Sequence, residues 1–493
     1  MGEAAILHAM TWSPWIGFSL FAVEAAVRIA LILRVIMRGI KPSVSLSWII
    51  ILFFFPIAGP LLYLILGENR LGTRRALKFE RRTRNFNDEM EMRWRKKHLE
   101  WSADEECYAV LAKLGTALGG MPPLKGNSLE LMDDANLVLD RLKADIDGAK
   151  HHCHLLYYIW MPAGRGKEIG DALMAAAGRG VECRVLVDWV GAKGFLRCPE
   201  CERMREAGVQ VVGALPAGIL RMALARLDLR NHRKIAVIDG TIAYCGSQNL
   251  TDKTYRNRRR KKVGPWIDTT VRITGPAVHA LQTVFLRDWA AETDERLKDP
   301  DVFYPPPQKT GTSIVHVVPS GPGPQPDAIR QALLAAVFSA REEIVMVTPY
   351  FVPDESMKAA LINAALRGVA VTLVLPDTLD AWLVEAASRA QFQDLLDAGV
   401  KIALHPEGLL HAKTATVDRK LGMLGSANLD MRSFWLNFEI TLFVYDGEFT
   451  DELRKQQRKY LKESIEVNAE KWRKRAWVER FADNIAQLAG PLL

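Results

Sequence analysis

Two apolar stretches near the N-terminus stand out in the hydrophobic pattern of the chain. The segment from Val44 to Leu66 contains no charged residue and is long enough to cross a hydrocarbon layer of roughly 30 Å as a helix. Pro56, Gly59 and Pro60 would kink this helix, which membrane helices tolerate when neighbours satisfy the freed backbone groups. The pattern therefore predicts a membrane-spanning helix, with a re-entrant hairpin as the alternative.

The preceding stretch from Trp15 to Ile36 is also mainly apolar but carries charged residues, including Glu24 and Arg28. These two lie one helical turn apart, so they could pair and lower the cost of burial. The N-terminus lacks the basic region of a cleaved signal peptide. Residues 1–68 are therefore predicted to form a transmembrane helical hairpin.

A strand–helix–strand pattern occurs twice in the rest of the chain. Leu155 to Asp188 contains an apolar strand, a helix ended by glycine and a β-branched strand, and Ile344 to Asp377 repeats this order. Internal repeats of this kind indicate duplicated structural units. Alternating strands and helices predict two α/β halves with helices on both sides of a sheet.

The most similar parts of the repeat begin at His232, with HRKIAVIDGTIAYCGSQNL, and at His411, with HAKTATVDRKLGMLGSANL. Polar residues recur at identical distances from each histidine. The matched positions are Lys234 and Lys413, Asp239 and Asp418, Ser247 and Ser426, and Asn249 and Asn428. On a strand, the histidine and the lysine two residues later point to the same face. Two copies at one spacing inside a wider repeat indicate shared chemistry rather than coincidence.

The composition predicts a large hydrophobic core and an anionic binding partner. Of the 493 residues, 49% are hydrophobic and 25% are charged, and the net charge is +8. A basic chain suits either nucleic acid or the anionic leaflet of a membrane, and charge alone does not choose. The six cysteines are scattered, so no disulfide framework is expected. Cys198 and Cys201 have half of a zinc-site spacing with no second pair, so no metal is expected either.

HRKIAVID with GSQN, and HAKTATVD with GSAN, resemble the paired HKD motifs of the phospholipase D superfamily. The N-terminal hairpin resembles that of the bacterial cardiolipin synthase branch. The resemblance begins at about Thr116 and implies two α/β/α sandwich halves, related by a pseudo-twofold axis, that share one site without a metal or another cofactor. The expected organisation is a transmembrane hairpin at 1–68, a basic helical connector at 69–115, and the two halves at 116–305 and 306–493.

The resemblance also implies roles for the two histidines. Neutral His232 would attack phosphorus to form a phosphohistidine while protonated His411 gives a proton to the leaving glycerol, or the roles could be reversed. Asp268 and Glu439, carboxylates at comparable points downstream, would orient the histidines.

The remaining motif residues are expected to assist. Lys234, Lys413, Asn249 and Asn428 would bind the phosphoryl oxygens, and the Ser247 and Ser426 hydroxyls could add contacts. Asp239 and Asp418 complete the catalytic motif, but each ends its motif far along the strand from the histidine. Their expected role is to fix neighbouring turns or backbone.

Phosphatidyl transfer between two phosphatidylglycerol molecules, giving cardiolipin and glycerol, is the expected reaction. Hydrolysis of phospholipid to phosphatidic acid is the alternative, and a nuclease ranks last because it has no need of the hairpin. The expected partners are phosphatidylglycerol and the membrane, not nucleic acid. Arg70, Arg74, Arg75 and Lys78 follow the hairpin, which predicts a multi-pass inner (plasma) membrane protein with a cytoplasmic catalytic part.

Two further segments allow two interpretations each. The first half has 12 more residues than the second in the stretch before the motif histidine. This stretch includes residues 218–230, GILRMALARLDLR, which form either a surface helix or an interfacial segment beside the site. The basic run from Arg256 to Lys262 is either a solvated loop or a site for an anionic headgroup.

Overall fold

The computed structural model describes residues 14–38, 42–67, 94, 101, 106–216, 229–252, 264–293, 295, 300–321, 326–488 and 490. Most of the predicted connector, the basic residues from Arg70 to Lys78, residues 218–228 and the run from Arg256 to Lys262 lie outside the described residues. The chain forms two compact units, one of residues 1–75 and 217–228 and the other of residues 76–216 and 229–493.

The described part of the first unit consists of helices α1 (Pro14–Met37), α2 (Pro42–Phe54) and α3 (Ala58–Leu66). Residues 44–66 form two helices rather than one, because the chain turns between α2 and α3 at Pro56, the expected site of a kink, which has no N–H to donate. The predicted pairing of Arg28 with Glu24 is confirmed at 2.6 Å. Among the described helices, none combines the length and the apolar character needed to span a bilayer.

The first half of the second unit is described from a helix that precedes the first strand of the sheet. Its elements are α4 (Glu106–Gly119), β1 (Leu124–Met132), α5 (Ala135–Asp147), β2 (His152–Tyr157), α6 (Gly164–Gly178), β3 (Glu182–Asp188), α7 (Lys193–Leu196), α8 (Pro199–Glu206), β4 (Gln210–Ala214), β5 (Ile235–Ile238), β6 (Ile242–Gly246), β7 (Trp266–Ile267), β8 (Thr270–Thr274) and α9 (Ala277–Glu292).

The second half repeats this order and adds elements at its C-terminal end. Its elements are β9 (Ser313–Ser320), α10 (Ala328–Ser339), β10 (Glu343–Val347), β11 (Phe351–Val352), α11 (Glu355–Leu366), β12 (Ala370–Pro376), α12 (Trp382–Arg389), α13 (Phe392–Asp397), β13 (Lys401–His405), β14 (Leu409–Leu410), β15 (Thr414–Val417), β16 (Leu421–Gly425), β17 (Leu429–Asp430), α14 (Met431–Trp435), β18 (Glu439–Tyr445), α15 (Gly447–Glu463), β19 (Ile465–Glu466), α16 (Ala469–Arg473) and α17 (Trp477–Leu488).

One continuous sheet of 15 strands joins the two halves. From its centre outward, the first half has the order β1-β8-β6-β5-β2-β3-β4, and the second has the matching order β9-β18-β16-β15-β10-β12-β13 with β19 at the edge. The halves meet where β1 and β9 pair antiparallel, with Leu124 opposite Val315. The predicted α/β fold of two similar halves is confirmed, since this order is what a twofold rotation at the β1–β9 junction produces.

Helices cover both faces of the sheet, as predicted. Successive strand residues point to opposite faces, so Leu155 belongs to the core under α5 and α6 while Leu156 belongs to the core around α9. In the second half Met346 packs in the core of α10 and α11, whereas Val345 lies in the cluster that contains part of α15. The buried central strands hold the ends of β5 and β15, where the motif residues lie, in fixed positions.

Candidate active site

Each motif histidine lies on a backbone segment that is paired with the opposite half. The N–H of His232 donates to the carbonyl of Phe438 at 2.9 Å, and the N–H of His411 donates to the carbonyl of Ile267 at 2.8 Å. In both cases the accepting residue stands immediately before a carboxylate, Glu439 or Asp268. Backbone pairing across the halves therefore brings each histidine beside the other half's carboxylate.

The side chains also pair between the halves, so that each histidine contacts the carboxylate of the other half. Nδ1 of His232 lies 3.0 Å from Oε1 of Glu439, and Nδ1 of His411 lies 2.7 Å from Oδ1 of Asp268. Because the four side chains are buried, these pairs are shielded from competing water. Sequence comparison identified both carboxylates but did not predict that each would serve the histidine of the other half.

Both carboxylates are held in the charged form. Burial alone would raise their pKa, but the histidine partners, Lys234 beside Glu439 and Lys413 beside Asp268 lower it further than burial raises it. A charged carboxylate accepts hydrogen bonds only, so Nδ1 of each imidazole carries the proton. In a neutral imidazole this leaves Nε2 with its lone pair available for a phosphorus atom or a proton.

The imidazoles themselves are neutral in the unliganded site. Burial lowers the pKa of His232 to about 4, with Glu439 opposing the effect and Lys234 adding to it. Burial, together with Lys413, likewise lowers the pKa of His411 to about 4. Negative charge brought by a ligand would favour the imidazolium form.

Two buried lysines supply positive charge beside the histidines. The ammonium of Lys234 donates to the carbonyl of His232 at 2.5 Å, and that of Lys413 donates to the carbonyl of His411 at 2.7 Å. Burial lowers the pKa of Lys234 to about 7 and that of Lys413 to about 8, and repulsion from Lys413 contributes at Lys234. The two halves thus place like charges close together, an arrangement that favours binding of an anion between them.

The two motif serines do not have the expected free hydroxyl groups. The hydroxyl of Ser247 donates to Asp268 at 2.6 Å, and that of Ser426 donates to Glu439 at 2.5 Å. Their hydrogen-bonding protons are therefore used to hold the carboxylates. These bonds support a positioning role for the two serines, and the expected serine contacts to phosphate stay a prediction.

The motif asparagines sit at the ends of the same turns. The amide oxygen of Asn249 accepts from the N–H of Ile159 at 3.1 Å, which leaves its NH2 group to donate elsewhere. The amide oxygen of Asn428 is buried and has no hydrogen-bond partner within the described part of the chain. The ring of Tyr158 packs edge-on against His232, and Trp266 lies 4.4 Å from the ring of His411.

Asp239 and Asp418 each accept hydrogen bonds from a run of backbone N–H groups. Asp239 accepts from the N–H groups of residues 150–152 at 2.8 to 2.9 Å, and Asp418 accepts from those of residues 341–343 at 2.7 to 2.9 Å. Each lies at the end of β5 or β15 that is remote from the motif histidine, in the left-handed conformation with φ of 51° and 49°. These contacts agree with the expectation that the two residues fix neighbouring backbone, and their grouping with the catalytic residues stays a prediction.

Arg233 is a buried residue of the site that the sequence did not single out. Nη1 of its guanidinium donates to both carboxylate oxygens of Asp288, at 2.5 and 2.6 Å, while Nε and Nη2 donate to the carbonyls of Glu439 and Ser320. The equivalent residue in the second half is Ala412. An arginine inside an apolar motif between histidine and lysine was the available signal for a buried contact between the halves.

Comparisons with known proteins give consistent matches. A family model described as cardiolipin synthase, PLD-like domain, matches residues 142–289 and 333–461, and one described as phospholipase D-nuclease N-terminal matches residues 26–68. Cardiolipin synthase A of Erwinia tasmaniensis is 40% identical over 468 residues, covering 94% of this chain and 95% of that protein. Cardiolipin synthase A of Escherichia coli O1:K1 is 40% identical over 467 residues, with the same coverage.

A solved structure shares the fold. The crystal structure of phosphatidylserine synthase from Haemophilus influenzae matches with a TM-score of 0.58 at 15% identity, covering 77% of this chain and 99% of that one.

Proposed function

The chain belongs to the cardiolipin synthase family of the phospholipase D superfamily, and we propose that it converts two phosphatidylglycerol molecules into cardiolipin and glycerol. This membership confirms the family and the enzyme class, a phosphatidyltransferase, that the paired motifs predicted. The observation that carries the proposed mechanism is the exchange of carboxylates, His232 with Glu439 and His411 with Asp268, which makes one site from two halves.

In the first step, Nε2 of His232 attacks phosphorus of one phosphatidylglycerol, forming a P–N bond as the bond to the glycerol oxygen breaks. His411 gives its Nε2 proton to that oxygen, and glycerol leaves. The unliganded His411 is neutral, and the negative phosphodiester raises its pKa by favouring the imidazolium. The exchange symmetry of the site equally supports the reversed assignment of the two histidines.

The charges of the site match the requirements of this step. Lys234 and Lys413, with the amide groups of Asn249 and Asn428, would bind the non-bridging oxygens as negative charge develops on them. Glu439 would offset the positive charge that His232 acquires when both of its ring nitrogens are substituted. Ser247 and Ser426 would keep the two carboxylates in place.

In the second step, the terminal hydroxyl of another phosphatidylglycerol attacks the phosphohistidine. Its proton passes to Nε2 of His411 while its oxygen bonds to phosphorus and the P–N bond breaks. His232 is released neutral and His411 is again protonated, so the cycle needs neither a nucleotide nor another cofactor.

A position of the active site at the membrane would favour a lipid hydroxyl over water as the acceptor. We propose that the N-terminal unit anchors the chain in the inner (plasma) membrane as a multi-pass hairpin, with the catalytic unit in the cytoplasm. In support, helices α1 to α3 expose large apolar side chains, among them Trp15, Phe18, Phe53 and Leu61. A site held at the bilayer surface meets lipid hydroxyl groups at high local concentration.

Purified protein incubated with phosphatidylglycerol alone tests the proposal, with products identified by mass spectrometry. Equal amounts of cardiolipin and glycerol are expected, and none with the His232→Ala variant. Accumulation of phosphatidic acid instead would assign hydrolysis. Cleavage of a nucleic acid with no reaction on phosphatidylglycerol would overturn the lipid substrate.

A further inference from the structure

Helix α17, from Trp477 to Leu488, carries its large apolar side chains on the face that is exposed to solvent. Trp477 is 74% exposed and Leu488 is 80% exposed, and Val478, Phe481 and Ile485 between them are also exposed. With about 100° of rotation per residue, these five positions form one continuous stripe on the helix. Exposure of such an apolar stripe to water is unfavourable, so the stripe indicates a surface that contacts another apolar phase.

The opposite face of α17 holds the helix on the protein. Asp483 is only 2% exposed and pairs with Arg389 of α12 at 3.1 Å and with Arg475 at 2.8 Å. Ala486 lies in a small apolar cluster with Ala386 and Ala387 of α12. The helix is therefore docked on α12 through the face that carries Asp483 and Ala486, and its apolar stripe is directed away from that face.

The cluster beneath α17 is connected to the active site. Val352 of β11 belongs to that cluster, and β11 pairs in parallel with β17. β17 begins at Leu429, the residue directly after Asn428 of the second motif. Helix α17 therefore packs on β11, the strand that pairs with the strand following this motif.

Charge and residue type point to one kind of surface. Lys471, Lys474 and Arg480 are exposed on or beside α17, and cations of this kind are attracted to anionic headgroups. Trp477, and Trp382 on the neighbouring helix α12, are each 74% exposed, and tryptophan is favoured at membrane–water interfaces. A symmetric contact with a second copy would instead bring the same basic residues together.

We propose that α17 is an interfacial helix whose stripe of Trp477, Val478, Phe481, Ile485 and Leu488 enters the headgroup region of an anionic bilayer. This inference rests on the proposed function, since it brings the catalytic unit onto the membrane that holds its substrate. The proposed contact is made by a helix of the catalytic unit itself.

A label on the full chain tests the contact without using activity. Phe481→Cys and, as the matched control on the other side of the same helix, Glu479→Cys are placed in a Cys198→Ser background and labelled with an environment-sensitive dye. The signal of the labelled parent is subtracted. In phosphatidylglycerol vesicles the dye at position 481 shifts to the blue and is quenched by brominated acyl chains, whereas the dye at position 479 is not.

Each other outcome overturns the proposal. Equal quenching at both positions, or none at position 481, means that the stripe does not enter the bilayer. Shielding at position 481 in detergent that depends on protein concentration means that a second copy covers the stripe. Shielding in detergent that does not depend on concentration means that another part of the same chain covers it.

A kinetic comparison separates this inference from the proposed function. Phe481→Ser with Ile485→Ser is expected to raise the vesicle lipid concentration that gives half-maximal rate by about tenfold or more, because two apolar side chains are lost from the interface. Turnover of a water-soluble short-chain phosphatidylglycerol stays unchanged, as it does in the Glu479→Gln control. Equal losses of rate on the vesicle substrate and the water-soluble substrate would contradict docking of α17 on the bilayer. If the parent chain makes no cardiolipin, the proposed function is wrong, but the dye measurement still tests the membrane contact.

Discussion

His232 of the first half is hydrogen-bonded to Glu439 of the second half, 207 residues later in the chain. The reverse pair, His411 with Asp268, completes the exchange. Neither half of the sheet thus contains both the histidine and the carboxylate of one pair. Chemistry at this site depends on the β1–β9 junction, which sets how the halves meet.

Removing either motif histidine should abolish turnover while the protein stays folded. His232→Ala and His411→Ala are each expected to reduce kcat by at least about 10³-fold, because one removes the nucleophile and the other the proton donor. Cardiolipin formation and the thermal unfolding midpoint are measured together. His151→Ala, at an exposed histidine, is the control, and substantial activity in either motif variant would contradict a shared site.

Replacing the carboxylates by amides should impair catalysis more than folding. Glu439→Gln and Asp268→Asn keep the side-chain size but no longer require a proton on Nδ1 of the paired histidine, so the neutral ring can present the wrong nitrogen to phosphorus. A drop in kcat of about 10²-fold or more is expected, with a smaller change in KM. Unchanged kcat in both variants would show that the pairs do not orient the histidines.

The pH profile of kcat/KM should be displaced from that of an exposed histidine. Since burial lowers the pKa of His232 to about 4, the imidazole becomes neutral and competent above that pH, and the acidic limb should lie near 4. His411 must be protonated to act as the acid, and its pKa in the free enzyme is also about 4, so kcat/KM should decline as pH rises above about 4. Lys234, with a pKa of about 7, and Lys413, with a pKa of about 8, then lose their charge, so the decline should steepen between pH 7 and 8. Stopped assays from pH 3.5 to 9.5 measure both limbs. An acidic limb near 6.5 would contradict burial of the unliganded histidines.

The sequence was sufficient to predict the motif residues but not all of their contacts. The spacing from His232 to Asn249 recurs from His411, and such spacing reports what lies on one strand and its turn. It carries no information on contacts between distant segments, so the exchange of Asp268 and Glu439 between halves was not predictable. In residues 44–66, Pro56 by contrast indicated a kink from the sequence alone, and the structure has the break between two helices there.

Asp239 and Asp418 should matter for stability rather than for the chemical step. Asp239→Ala leaves three backbone N–H groups without their acceptor, of which only that of His152 is partly buried, and should lower the free energy of unfolding by about 1–3 kcal/mol. Asp239→Asn should lose less, because asparagine keeps an acceptor and tolerates the left-handed conformation. Denaturant unfolding and kcat per folded molecule distinguish the roles. A loss of kcat matching that of His232→Ala, with unchanged stability, would return Asp239 to the catalytic group.

Arg233 should influence catalysis separately from its effect on stability. Arg233→Ala leaves Asp288 buried without its charge partner, which should lower the free energy of unfolding by about 3–5 kcal/mol. The double variant Arg233→Met with Asp288→Leu removes both charges and should recover most of that stability, because two apolar side chains of similar size need no partner.

The double variant nevertheless leaves the carbonyls of Glu439 and Ser320 without the donors that Arg233 provides. If Arg233 holds the backbone that carries Glu439, kcat should remain about tenfold or more below that of the parent even when stability is restored, because a small displacement of Glu439 tilts His232 away from phosphorus. Unfolding by denaturant and cardiolipin formation are compared in the parent and both variants. Recovery of kcat together with stability would mean that Arg233 only supports the fold, since both properties would then follow the buried ion pair alone.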